Sequence, residues 1–186
     1  MIDENHNPWK IHSQKLIHET PWIKIFEDEV TNPGGEECLY TSVHFKNRAL
    51  GIVPLDEEYN TWIVGQYRYP LKKYSWEIPE GGVPFDEDII EGGNRELQEE
   101  TGISAKEWIH IMDFHTSNSV TDEIAHIYVA KDLSFGEANP EPNEELYCKK
   151  VSFQELYEMV LDGTITDSLT IAAVYKTEYL IRTGKL

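Results

Sequence analysis

Polar and apolar positions alternate with a period of two along much of the first third of the chain, as in strands with one buried face. Residues 11–17 and 22–30 follow this pattern. In the second, Trp22, Lys24 and Phe26 share one face and Ile23 and Ile25 the other. Asn32-Pro33-Gly34-Gly35 predicts a turn. Beyond it, Leu39, Thr41, Val43 and Phe45 alternate with Tyr40, Ser42 and His44, which predicts a half-buried strand. Residues 49–55 are few and mostly apolar, the mark of a strand covered on both faces. Residues 56–60 predict a turn, and 61–67 a further strand. The residues before about position 10 lack this patterning and read as a loose tail.

Past Gly81 the period lengthens towards that of a helix. The helix is expected to start near Asp86 as N-cap and to stop at Gly102, a good C′ residue. Gly92 and Gly93 fall in its middle, where each costs about 1 kcal/mol relative to Ala. They imply close approach of this helix to a strand. Strands are expected at 108–114 and 124–130, flanking the loop 115–123, and a proline-punctuated acidic loop at 136–145. A last strand is expected at 147–151. Phe153, Leu156, Tyr157 and Val160 recur at helical spacing, and Asp167 caps a final helix to about Ile181. Helices packed on mixed strands give an α/β sandwich.

Composition narrows the function without naming it. At 186 residues the chain fits one domain with a sizeable core, and its 40% hydrophobic and 27% charged content is ordinary for a globular protein. No apolar run approaches the length of a membrane span, and the N-terminus MIDENHNPWK is unlike a signal or transit peptide. Cys38 and Cys148 are far apart and lack metal-ligand spacing. They read as reduced thiols of a cytoplasmic protein, with pairing in space left open. The seven histidines also lack ligand spacing and receive no role. The net charge of −18 argues against nucleic acid as a partner, and no membrane partner is expected. The same charge repels a diphosphate, and a bound cation reconciles the two.

A place for that cation stands out. Glu96, Glu99 and Glu100 fall at i, i+3 and i+4, on one helix face within a turn. Like charges at this spacing repel, and Arg95 alone does not neutralise three carboxylates. Mg²⁺, or Mn²⁺, takes hard oxygen ligands and keeps positions for water and phosphates. On their own, three glutamates also fit a solvated acidic face. The surrounding spacing changes the reading: Gly81, Glu87, Arg95, Glu96, Glu99, Glu100 and Gly102 stand at fixed intervals over the 23 residues 81–103. Seven such identities make a chance match on the order of one in a million.

This stretch resembles the complete Nudix box. Gln66-Tyr67-Arg68-Tyr69-Pro70 and Ser75-Trp76-Glu77-Ile78-Pro79-Glu80 resemble the segments that precede the box in the branch of ADP-ribose pyrophosphatases and other nucleoside diphosphate sugar hydrolases. The resemblance implies an α/β/α sandwich around a mixed sheet (46–186), preceded by an N-terminal strand region (1–45) used for dimerisation and base stacking. It implies a likeness in assembly too, a homodimer. It makes Glu96, Glu99 and Glu100 metal ligands, joined by Glu80 through its backbone carbonyl, where the family has a small residue. Arg95 orients the glutamates, and Glu87 holds the loop-to-helix geometry. Arg68 is the candidate diphosphate grip, against a surface ion pair as the plainer reading. Trp22 is a candidate base-stacking residue and Lys46 and Arg48 are candidate phosphate contacts. In the acidic loop, Glu144 or Glu141 is the candidate base, Glu144 also a metal ligand, with Glu145 a further candidate. Thr121-Asp122-Glu123 keeps the family's substrate-loop run, but Ser117-Asn118-Ser119-Val120 replaces the usual proline-glycine pair, which widens the choice of sugar nucleotide. The implied reaction is Mg²⁺-dependent cleavage of a substrate such as ADP-ribose or GDP-mannose to a nucleoside monophosphate and a sugar phosphate. Two alternatives are a Nudix-fold sensor without turnover and a hydrolase of another nucleoside diphosphate derivative such as a dinucleoside polyphosphate.

Overall fold

The computed structural model describes residues 3–139 and 145–186. It divides into two units, each with its own sheet system. The smaller comprises the described residues up to Asn47 with Ser117–Glu123, and the larger comprises Arg48–Thr116 and Ile124–Leu186.

The smaller unit is an antiparallel sheet of β1 (Lys10–Glu19), β2 (Ile23–Thr31) and β3 (Glu37–Phe45) in that order. The expected turn lies between β2 and β3, with Gly35 at φ +87°, a conformation open to glycine without strain. The segment 117–123 joins the sheet's end, Val120 accepting the Val43 N–H at 2.9 Å.

In the larger unit, β4 (Asn47–Pro54) runs parallel to β9 (Ile124–Phe135), which pairs antiparallel with β8 (Ile103–His115). With β7 (Glu80–Pro84) they form a mixed sheet ordered β7-β4-β9-β8. A second, antiparallel sheet is ordered β10-β5-β6, from β5 (Asn60–Arg68), β6 (Lys73–Glu77) and β10 (Tyr147–Ser152). The mixed sheet is covered on both faces. Val53, Leu55, Ile127 and Val129 pack with the helices α2 (Phe153–Leu161) and α3 (Ser168–Arg182) through Leu156, Val160, Leu169 and Ala173. Leu50, Ile52 and Ala130 pack on the other face with Leu97 of α1 (Ile89–Thr101). That is the α/β/α sandwich expected, and the alternation of faces along 49–55 is its sequence trace. Among the described residues, no helix is long and apolar enough to cross a membrane.

Three details differ from the sequence reading. The N-cap of α1 is Asp88 rather than Asp86, because the Asp88 carboxylate accepts from the Ile90 and Glu91 N–H groups at 2.9 and 3.1 Å. The stretches 73–77 and 80–84, carrying no strand prediction, are β6 and β7. And β8 is longer than expected, with a register shift between His110 and Met112. Close approach at the helix glycines holds: a Cβ at Gly92 meets the Val83 side chain at 2.7 Å, and one at Gly93 meets Leu50 and Trp108 at 3.0 Å.

Candidate active site

The C-terminal half of α1 faces the start of β7, and their contact builds the site. The N–H of Glu80 donates to the Glu100 carboxylate at 3.1 Å, and Glu100 is buried. A Cβ at Gly81 would overlap the Glu96 carboxyl, so a larger residue there would displace that side chain. Arg95 spreads its guanidinium over three acids: Glu96 at 2.8 Å, Glu87 at 3.2 Å and Glu99 at 3.3 Å. The Glu87 bond, followed by the other carboxylates, raises the Arg95 pKa above its ordinary value against the opposing effect of burial. Arg95, read from sequence as orienting the glutamates, thus touches Glu96 and Glu99, and Glu87 besides. Three carboxylates around one guanidinium leave excess negative charge on hard oxygen donors, a set that suits a divalent ion such as Mg²⁺ and not a thiophilic one.

At the C-terminal end of α1, Gly102 adopts φ +73° and its N–H bonds Gln98 O at 2.9 Å. The acidic loop is anchored here. Gly136 N–H donates to Gly102 O at 2.7 Å and Asn139 N–H to Glu99 O at 3.0 Å. The loop candidates Glu141 and Glu144 lie outside the described residues, while Glu145 accepts from the Tyr147 hydroxyl at 3.3 Å.

On the other side of Glu80 stands a second carboxylate group. Oxygens of Glu77, Glu80 and Asp167 lie within 4.8 Å of one another beside an open pocket lined by Ser75 and Thr166. Their cation is Arg68. Its Nε reaches both Glu77 oxygens at 3.0 Å, and its Nη2 reaches Glu77 at 2.5 Å and Glu80 at 2.6 Å. Burial disfavours the guanidinium charge, but Glu77 and Glu80 outweigh it and raise the Arg68 pKa. Burial, then Asp167 and Glu77, push the Glu80 carboxyl well above the usual carboxylate range, and Arg68 offsets only part. The Glu80 Oε2 is buried without a hydrogen-bond partner.

The family model for the NUDIX domain matches residues 45–172. The chain belongs to the Nudix family. Nudix relatives include the methanol dehydrogenase activator of Bacillus methanolicus, 33% identical over 82% of this chain and 83% of its own length. Another is the ADP-ribose pyrophosphatase of Bacillus subtilis (strain 168), 29% identical over 82% of this chain and 83% of its own. A solved structure described as an ADP compounds hydrolase superposes with a TM-score of 0.83 at 18% identity, over 96% of this chain and 97% of that one. The two chains thus share a fold over 96% of this one.

The remaining residues singled out in the Nudix reading fall in distinct places. Arg48, half-buried, donates to the backbone carbonyls of Pro84, at 2.8 Å, and Glu87, so its Nη2 braces the turn before α1. Lys46 bonds Glu19 and the Thr20 carbonyl, both at 2.6 Å. Trp22 is 67% exposed just before β2. Thr121 donates to Ser117 O at 3.3 Å and offers its own hydroxyl to the Glu123 N–H at 3.4 Å. Asp122 pairs with His44 Nδ1 at 2.7 Å and accepts from the Phe45 N–H at 2.9 Å. Sequence reasoning missed the Glu77–Asp167 grouping. It treated Asp167 only as a cap, a role it does fill by accepting from the Thr170 N–H at 2.7 Å. The available signal was the period-two placement of Arg68 and Glu77 on a hairpin, hidden because 73–77 carried no strand prediction.

Proposed function

We propose that this Nudix protein hydrolyses the diphosphate bond of a nucleoside diphosphate sugar, such as ADP-ribose or GDP-mannose, to a nucleoside monophosphate and a sugar phosphate. The observation that carries the reading is the contact of the Glu80–Gly81 backbone with the Glu96 and Glu100 carboxylates. That contact joins Glu96 and Glu100 of the box to the backbone before it, and Arg95 ties Glu96 to Glu99. Glu96, Glu99 and Glu100, with the Glu80 carbonyl, are the residues that would hold Mg²⁺ or Mn²⁺. When bound, the metal supplies positive charge to the diphosphate oxygens and orientation to a water.

The chain's own groups do the rest. Arg95 holds Glu96 and Glu99 in place. A glutamate of the acidic loop, Glu144 or Glu141, takes a proton from the attacking water as its oxygen bonds phosphorus in line. The bond to the bridging oxygen then breaks. The tie of Asn139 to Glu99 supports the loop's assignment, since it leads the chain into that loop from the box helix itself. Thr121, Asp122 and Glu123 are proposed for the substrate loop, Lys46 and Arg48 as phosphate contacts, and Trp22 for base stacking. Arg68 is proposed to act chiefly by fixing Glu77 and Glu80 beside the diphosphate. The relative described as an ADP-ribose pyrophosphatase supports the substrate class. The N-terminal sheet is proposed to form the homodimer interface.

Glu100→Gln tests the reading. Turnover of ADP-ribose should fall by roughly 10²-fold or more, since even outer-shell partners of a metal matter by 10–100-fold, with the unfolding midpoint retained. Near-normal activity would sink the assignment. A panel of ADP-ribose, GDP-mannose, UDP-glucose, NADH and diadenosine polyphosphates, ranked by kcat/KM, locates the substrate within the class. Binding of ADP-ribose with release of no monophosphate would instead mark a sensor.

A further inference from the structure

We infer that His110, Asp113 and His126 form a second metal site, one for a borderline transition metal such as Zn²⁺, separate from the glutamate site. In a regular strand, residues three apart point to opposite faces. The register shift between His110 and Met112 inserts an extra residue into β8 and turns His110 and Asp113 to the same face. His126 on β9 is the direct partner of Asp113, and Tyr128, two residues on, is the partner of His110. Four side chains thus meet across one ribbon.

The geometry is that of a ligand set already gathered. Asp113 Oδ1 lies 2.7 Å from His110 Nε2 and 2.7 Å from His126 Nδ1, and the three atoms lie within 4.8 Å of one another. Tetrahedral ligands on bonds of about 2.1 Å stand about 3.4 Å apart. Slight opening of the two 2.7 Å contacts at the carboxylate approaches that figure. The backbone is fixed by the ladder of β8 and β9. The His110 ring also packs on Tyr128 at 5.1 Å, which limits its rotation. On metal binding, each imidazole carries its proton on the nitrogen away from Asp113.

The donor set decides the metal. Two imidazoles and a carboxylate suit Zn²⁺, Co²⁺ or Ni²⁺, whereas Mg²⁺ takes oxygen ligands. His110 and Asp113 are 45% and 42% exposed, so water or a further ligand can complete the shell, and His126 is 19% exposed. Without a metal the same triad is two hydrogen bonds to one carboxylate, and the experiment separates these readings.

The full chain, in excess Mg²⁺, is titrated calorimetrically with Zn²⁺ and spectroscopically with Co²⁺, beside His110→Gln/His126→Gln and Glu99→Gln/Glu100→Gln. One equivalent of Zn²⁺ should bind the wild type and the glutamate variant. Affinity should drop at least about 100-fold in the histidine variant, beyond the scale at which outer-shell partners act. The visible Co²⁺ bands should be lost with it. Asp113→Asn, which keeps both imidazoles, should also weaken binding, and it carries the test if the double variant does not fold. Equal isotherms for the wild type and a folded histidine or Asp113 variant would overturn the site. So would Zn²⁺ binding lost only with the glutamates.

Discussion

The guanidinium of Arg68 sits between the side chains of Glu77, 3% exposed, and Glu80, 13% exposed. Removing it strands two carboxylates in a poorly solvated place, and breaking a buried pair in this way costs about 3–5 kcal/mol. Arg68→Ala should therefore lower the unfolding free energy by about 3 kcal/mol in urea titration. A residue used only to grip phosphate would leave stability intact and raise KM. Arg68→Lys keeps the charge and loses the fork, so an intermediate loss is expected. Asp56 offers a pH test in the turn before β5. Burial favours its neutral form, but hydrogen bonds from the Asn60 N–H and side chain, Lys150 and the Glu58 N–H outweigh it and bring the pKa from 3.8 to about 2. A depressed folded-state value means stability that is present above the unfolded pKa and lost as pH falls through the folded one. The difference in stability between the wild type and Asp56→Asn should be about 1–2 kcal/mol near neutral pH, after discounting for solvent screening. It should shrink between about pH 4 and pH 2, which acid-range urea titrations measure.

Helix α1 joins the sandwich to the site, and its glycines are where the two meet. At Gly92, Ala would add about 1 kcal/mol of helix propensity but force a methyl against Val83 Cγ1 at 2.7 Å, in a buried position where overpacking costs about 1–3 kcal/mol. Net destabilisation of about 1 kcal/mol is expected for Gly92→Ala, read from thermal unfolding; a rise in Tm would show that Val83 gives way. This element was legible before its coordinates, because fixed spacing placed Gly81, Arg95 and the glutamates, and helical period placed the faces. Its start was misread by two residues because Asp86 and Asp88 are chemically equal as caps and only the chain's path selects one. Strands β6 and β7 escaped because they are five residues each, too short for alternation to speak. The Arg68–Glu77–Glu80–Asp167 and His110–Asp113–His126 groupings escaped for a deeper reason. One depends on a hairpin whose second strand carried no prediction and on a distant helix cap, the other on a one-residue bulge that leaves no spacing in the sequence.

At the scale of the whole molecule, the two units have unequal cores. Among the described residues, Val30 is the one buried hydrophobic side chain of the N-terminal unit, against two clusters in the larger unit. A three-stranded sheet needs one apolar face covered to be stable. The register gathers part of the exposed apolar surface on one side. Ile11 pairs with Val30 and Leu16 with Phe26, and Cys38 and Tyr40 continue the same side of β3. Ile11 is 61% exposed, Leu16 45% and Tyr40 37%, with Trp9 packed edge-on to Tyr40 at 5.3 Å. A second copy, as proposed above for the N-terminal sheet, would cover these side chains through an isologous contact. The net charge of −18 makes such a contact costly, and Asp28 and Gln14 lie on the same side between the apolar pairs. Size-exclusion chromatography with light scattering should give the mass of two chains for the wild type, and Tm should rise with protein concentration, since association stabilises by mass action. Ile11→Glu/Leu16→Glu places charge on that face and should yield single chains with a lower, concentration-independent Tm. A wild type that runs as one chain at micromolar concentration would remove the dimer.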